Sequence, residues 1–195
     1  MAEESTVSQA HEQVLLVAGR LFCERGYASV TMRDLAEALN MRQASLYYHA
    51  PEGKEQLFAE VIEQDLTRRF AGIERAIAQT EPQIGKQLRA VALFLISQPP
   101  LDLVRFFRSD LPALSELKAY RLLKLAHRTL IAPCEDLFND AYQRGEIRLA
   151  DATLMAATFL SNIDVIHEMH RYKPTPKEVL VQDMLDAFLD GLRRR

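Results

Sequence analysis

Arg42-Gln43-Ala44-Ser45 concentrates the groups best suited to reading the edge of another molecule: a guanidinium, a primary amide, a side chain of one methyl and a hydroxyl. In a major groove an amide pairs bidentately with adenine and a guanidinium with guanine, so this run has the chemistry of base recognition. Tyr47 and Tyr48 follow within a helical turn and supply two phenolic hydroxyls for backbone phosphates, and His49 beside them joins the candidate surface, against the simpler reading of packing or capping. Thr31 and Arg33 lie one short helix upstream. Lys54 lies just downstream at a helix start, where an ammonium and backbone amides together suit a phosphate.

Other reactive residues lack a supporting pattern. His167-Glu168-Met169-His170 places two histidines three apart, one residue short of the four-residue spacing of a zinc-protease helix, so no metal is assigned and dimer-face or solvated histidines are the reading. His127 falls in a stripe with Tyr120, Leu123, Leu130 and Cys134, which predicts an imidazole on an apolar face. Cys23 and Cys134 sit among apolar helical positions and read as buried reduced thiols. With no Gly-rich phosphate loop, triad order or paired-carboxylate setting, neither a catalytic role nor a cofactor is assigned.

The elements that must position these residues are helical. Apolar residues Val14, Leu15, Ala18, Leu21 and Phe22 recur at three- and four-residue steps from Ser8 to Arg25, and Gly26 stops that helix so that Tyr27 can fold back on the same face. Thr31 and Asp34 form a capping-box pattern at the next start. Asn40 tolerates left-handed dihedrals and makes a corner, after which a third helix runs from near Arg42 to His49. Ala50-Pro51-Glu52-Gly53 marks a domain boundary. Beyond it, helices are expected over 54–78, from Glu81-Pro82 to Ser97, around 103–108, over 115–144, 151–172 and 175–195. Pro133 kinks the fourth of these six helices rather than splitting it, and Arg193, Arg194 and Arg195 complement the negative end of the last.

In order and spacing, Leu21-Phe22, Gly26-Tyr27, Thr31-Met32-Arg33-Asp34-Leu35-Ala36, Leu46-Tyr47-Tyr48-His49 and Lys54-Glu55-Gln56-Leu57 resemble the DNA-binding region of TetR-family transcriptional regulators. The resemblance covers about the first sixty residues; Asn40 stands where the family commonly has glycine. It implies an all-α homodimer of about nine or ten helices. Residues 1–50 are then a three-helix helix-turn-helix DNA-binding domain, and residues 51–195 an effector-binding and dimerisation domain. The function implied is a ligand-responsive repressor that binds a (pseudo)palindromic operator in duplex DNA and is released by a small, largely apolar effector.

Two further expectations concern the second domain. Phe94, Phe106, Phe107, His127, Phe138, Phe159 and Asn162 are candidates for the effector pocket, against the simpler reading of core packing. Leu180, Met184, Ala187, Phe188 and Gly191, with Ala156, Leu160 and Ile163, form two stripes expected to make the dimer face.

Bulk composition limits the alternatives. The 195 residues are 48% hydrophobic and 26% charged with only seven glycines, which favours a helical globular chain over disorder. A net charge of −3 rules out a general basic coating, and the first fifty residues carry four arginines against six acids, so modest DNA affinity at high salt is expected. An acidic Met-Ala-Glu-Glu start and the lack of an apolar run near 20 residues predict a cytoplasmic protein without a membrane partner. A helical scaffold without DNA binding would show no salt-dependent DNA association. A small helical enzyme would have to rest on His127 or the His167/His170 pair.

Overall fold

A computed structural model describes residues 2–148, 150–172 and 174–192, the side chains of residues 2–8 and Arg171 excepted. The described secondary structure is helical: α1 (Ala2–Arg25), α2 (Met32–Ala38), α3 (Gln43–His49), α4 (Lys54–Ala78), α5 (Ile84–Ser97), α6 (Leu103–Arg105), α7 (Glu116–Ala126), α8 (Ala132–Gln143), α9 (Ala152–Tyr172) and α10 (Lys177–Asp190). The all-α expectation holds. The three C-terminal arginines lie outside the described residues.

The local signals act as their chemistry requires. Gly26 has φ 77° and its N–H donates to the Phe22 carbonyl at 2.9 Å, closing α1 with a left-handed residue. Asn40 takes φ 52° at the corner after α2. Thr31 and Asp34 form the complete box: the Asp34 N–H donates to Thr31 Oγ1 at 3.1 Å, and the Thr31 N–H donates to Asp34 Oδ2 at 2.8 Å.

Chain contacts divide the molecule into two compact units, and the division differs from a boundary at Pro51. One unit is residues up to 65 together with 104–123; the other is 66–103 with the residues from 124 onward. The turn at 51–53 lies inside the first unit because the start of α4 belongs to its core. Leu57 and Phe58 are buried there, and the Phe58 ring meets Phe22 edge-on at 5.2 Å and Tyr27 at 4.9 Å. In the segment 104–113, α6 runs on through a π turn at Phe106–Asp110 and a 3₁₀ turn at Leu111–Ala113, with Pro112 in its first turn.

α7, which begins in the first unit, and α8 remain continuous through a π turn at His127–Ile131, and Pro133 occupies the first turn of α8. A wide turn accommodates a residue with no N–H to donate, so the helix is not split. It also corrects the expected stripe. Burial follows Leu122, Ala126, Leu130, Cys134 and Phe138 at four-residue steps, while Tyr120, Leu123 and His127 are exposed. His127 is therefore not on a buried apolar face; its side chain is 57% exposed, with Nε2 3.7 Å from Glu135.

Gly72 on α4 packs under the Phe94 ring, and a Cβ built there would come 1.9 Å from Phe94 Cζ. Gly72→Ala should cost about 1–3 kcal/mol in urea unfolding, as overpacking does. Phe94→Leu in that background should recover part of the loss, and additive effects would show that the two positions do not share this contact.

Candidate nucleic-acid interface

The first unit presents α3 as a helix with one inward residue. Leu46 is buried, while Gln43, Ala44, Ser45, Tyr47 and Tyr48 are exposed, Tyr48 to 73%. Arg42 stands at the N-cap in extended backbone with its side chain exposed and no capping hydrogen bond from it. The amide, hydroxyl and guanidinium singled out in the sequence thus face solvent along one short element. Ala50 is buried just beyond, and the small side chain at this position lets the chain turn tightly towards α4.

Arg33 on α2 is also exposed, and its Nε donates to Glu37 at 2.8 Å. A solvent-exposed pair of this kind contributes little stability and releases its cation readily to a stronger anion. Thr31 works as a cap. Its hydroxyl and backbone N–H hold the Asp34 carboxyl below the usual range, so the box contributes above that range and is lost as pH falls through the depressed value. His49 is half-buried between the rings of Tyr48, at 5.5 Å, and His11, at 6.3 Å. A link the sequence gave no sign of lies behind it: His11 Nε2 is 2.7 Å from Glu60 Oε2, and Gln56 Nε2 donates to Glu60 Oε1 at 2.8 Å.

Lys54 differs from a free surface lysine. Its ammonium donates to the Tyr27 carbonyl at 2.9 Å and lies 4.0 Å from the centre of the Tyr27 ring, and burial lowers its pKa. Its first role is to satisfy a carbonyl just past the end of α1. Two of its three N–H bonds remain for other acceptors.

The same corner receives residues that the sequence did not connect to it. Asp110 Oδ1 accepts the Tyr27 N–H at 3.0 Å, and Arg105 donates to the carbonyls of Cys23 at 3.0 Å and Phe22 at 3.4 Å. Arg105 Nε lies 3.5 Å from Asp110 Oδ2. Further along, Glu55 accepts the Ser115 N–H at 2.6 Å and Glu52 pairs with Lys118 at 2.8 Å. These contacts fasten residues 104–118 to the helices that carry the candidate contacts. Long-range ion pairs of this sort have no sequence period to betray them.

The candidate effector residues do not form one group. Phe106, buried, and Phe107, exposed, belong to the first unit, where their rings meet at 5.3 Å. In the second unit Phe159 is fully buried, Phe138 packs edge-on to Phe188 at 5.9 Å, and Asn162 donates to its own helix at Thr158. A small cavity there is lined instead by Arg69, Leu95, Leu130, Leu160, Asp164 and His167, among others. His167 is buried rather than solvated, with Nδ1 2.9 Å from Lys177 Nζ, whereas His170 is exposed and meets the Thr175 carbonyl. The two imidazoles therefore have separate partners. The expected dimer stripe on α9 is also corrected: Ala156, Leu160 and Ile163 are buried within the chain, and the exposed apolar residues of that helix are Leu154, Val165, Met169 and Tyr172.

Residues 14–61 match the family described as bacterial regulatory proteins, tetR family. The chain is 22% identical over 148 residues to the HTH-type transcriptional repressor KstR2 of Mycolicibacterium smegmatis, covering 74% of this chain and 70% of that one. Among solved structures it is similar to AibR in complex with isovaleryl coenzyme A and operator DNA, with a TM-score of 0.72 and 24% identity over 90% of this chain and 95% of that one. It is equally similar to the ketosteroid transcriptional regulator KstR2 of Mycobacterium tuberculosis, with a TM-score of 0.73 and 20% identity over 95% and 96%.

Asp110→Ala leaves the Tyr27 N–H without this acceptor and removes a buried carboxylate from beside Arg105. It should cost roughly 3 kcal/mol in chemical unfolding. A loss below about 0.5 kcal/mol would mean that the corner is held by packing alone.

Proposed function

We propose that this chain, a TetR-family regulator by the domain at residues 14–61, is a repressor that binds operator DNA through α3 and lets go when an effector occupies its second unit. The observation that carries the reading is the outward array on α3: Gln43, Ser45, Tyr47 and Tyr48 project polar groups around a helix anchored by Leu46. A recognition helix needs this division, with one residue fixing it to the domain and its neighbours free for a groove. Gln43 and Arg33 read base edges; Tyr47, Tyr48 and Lys54 serve phosphates; Thr31 holds α2; Arg42, Ala44, Ser45 and His49 complete the contact surface.

Reading a palindrome requires two copies with recognition helices ~34 to 36 Å apart. The exposed Val165, Met169 and Tyr172 on α9 and Val179 on α10 support a self-complementary apolar face for that dimer. The helix α4 begins at Lys54 in the first unit and continues into the second, so a ligand that favours one setting of α4 changes the spacing and with it DNA affinity. AibR, crystallised with isovaleryl coenzyme A and operator DNA, supports an effector with a short apolar chain and a polar head.

Binding to the DNA upstream of the chain's own coding region tests the reading. A shift that weakens steeply with salt is expected, and no salt-dependent association would leave a helical ligand-binding protein instead. Gln43→Ala should change the operator-mutation profile by ~1 to 3 kcal/mol at one base pair, whereas Tyr47→Phe should weaken all sequences alike. An unchanged profile for Gln43→Ala would remove that residue from base reading. For the dimer, Met169→Glu with Val165→Glu should yield a monomer of unchanged helicity in sedimentation; persistence of a dimer would place the interface elsewhere.

A further inference from the structure

Glu60 on α4 places a carboxylate in the unit whose proposed partner is a polyanion, and both of its oxygens are engaged by other side chains. Oε2 lies 2.7 Å from His11 Nε2 on α1, and Oε1 accepts from Gln56 Nε2 at 2.8 Å. Gln56 passes the connection on, since its own Oε1 accepts the Glu52 N–H at 3.0 Å. An ionised carboxylate only accepts, so His11 presents a protonated Nε2 and Gln56 its amide nitrogen. Glu52, Gln56 and Glu60 are spaced four residues apart and so share one side of α4 and the turn before it.

The two ends of this relay both reach the end of α3. The His11 ring lies 6.3 Å from the His49 ring, tilted by 34°, within the range of aromatic contact. His49 is the last residue of α3, and among the described residues no hydrogen bond holds its imidazole. Glu52 lies in the 51–53 turn that joins α3 to α4, and its carboxylate pairs with Lys118. At its other end α3 has no such support, because Arg42 at the N-cap makes no side-chain capping bond. With Leu46 as its single buried residue, α3 takes its polar anchoring at the His49 end.

We propose that Glu60 is a positioning residue for DNA binding: it holds the His11 ring that backs His49 and, through Gln56, the turn that closes α3. The inference rests on the reading of α3 as the DNA-facing helix and adds to it a residue that acts from behind that helix. Hydrogen bonds to base edges and phosphates tolerate displacements of only about 0.5 Å, so a seven-residue helix has to be fixed at its ends to make them. Charge alone gives the opposite expectation. Removing a carboxylate from a surface that meets phosphates strengthens binding, whereas removing the clamp on α3 weakens it. The sign of the effect separates the two.

Glu60→Met and Glu60→Gln remove the same charge but differ in hydrogen bonding. Methionine offers neither His11 nor Gln56 a partner. Glutamine keeps an oxygen for Gln56 and turns an amide N–H towards His11, whose Nε2 accepts it once the ring proton moves to Nδ1. Gel shifts of the full chain on its upstream DNA, at one fixed salt concentration, should show Glu60→Met weakened about three- to tenfold and Glu60→Gln within about twofold of the parent or tighter. Circular dichroism should show the parent's helicity in both. Imidazole ¹⁵N spectra at about pH 8, where a free imidazole is neutral, should find the His11 proton on Nε2 in the parent and on Nδ1 in Glu60→Gln. Equal binding by the two variants would overturn the proposal, as would a parent His11 with no proton on Nε2. Where Glu60→Met fails to fold, Gln56→Met decides: it leaves the charge unaltered, cuts the link to Glu52 and should bind about threefold more weakly, and unchanged binding would overturn the proposal. A parent chain with no salt-dependent DNA association removes the reading of α3 and this role with it, whereas a parent that binds and is matched by both Glu60 variants keeps the reading and removes the role.

Discussion

The corner after α1 is the constraint on which the first unit depends. A helix end leaves carbonyls without intrahelical partners, and the left-handed turn at Gly26 leaves the Tyr27 amide facing away from any regular ladder. Three side chains from two separate parts of the chain supply what is missing. Arg105 takes the carbonyls of Phe22 and Cys23, Asp110 takes the Tyr27 N–H, and Lys54 takes the Tyr27 carbonyl while lying over its ring. Each of these groups is polar and partly removed from water, so losing one strands its partner and not merely a surface contact. Gly26 is favoured by its φ of 77°, and a Cβ there would stand a tight 3.2 Å from Arg105 Cδ.

Because that corner ties α1, the start of α4 and residues 105–110 together, the short elements between them have little freedom. α2 and α3 contain seven residues each, too few to be stable alone. Their stability comes from the buried Leu35, Ala36 and Leu46, from the Thr31–Asp34 box and from the scaffold on either side. α3 can then expose nearly every side chain without melting, as the proposed role of a recognition helix requires.

Much of this unit was legible in the sequence because its determinants are local. A glycine after a helix, a threonine three residues before an aspartate and an asparagine at a corner each act within one turn, and each took the predicted geometry. The outward placement of Gln43, Ser45 and Tyr48 followed from the same periodicity. The division of the chain did not follow, since it depends on the return of 104–123 to the first unit through pairs such as Glu52 with Lys118, some 66 residues apart. His127 was misplaced for a different reason. A stripe drawn at 3.6 residues per turn assumes an unbroken α-helix, and the π turn ahead of Pro133 adds to that period just where His127 sits.

The second unit shows why an interior cluster is harder to read from sequence than an exposed helix face. The candidate contacts of the first unit lie on short elements between Thr31 and Lys54, so they are near neighbours in the chain. The ionisable groups around the small cavity come from distant helices: Arg69, Asp164 and His167 span almost a hundred positions and fall within otherwise ordinary amphipathic segments. Aromatic residues attract notice in such segments, yet Phe138 and Phe159 serve the core and Phe94 serves its contact with Gly72. The more informative signal was charge on a helix face that packing requires to be buried. An arginine at the Leu66-Ile73 face of α4, and an aspartate and histidine one turn apart on α9, carry a desolvation cost that apolar residues in the same places would avoid.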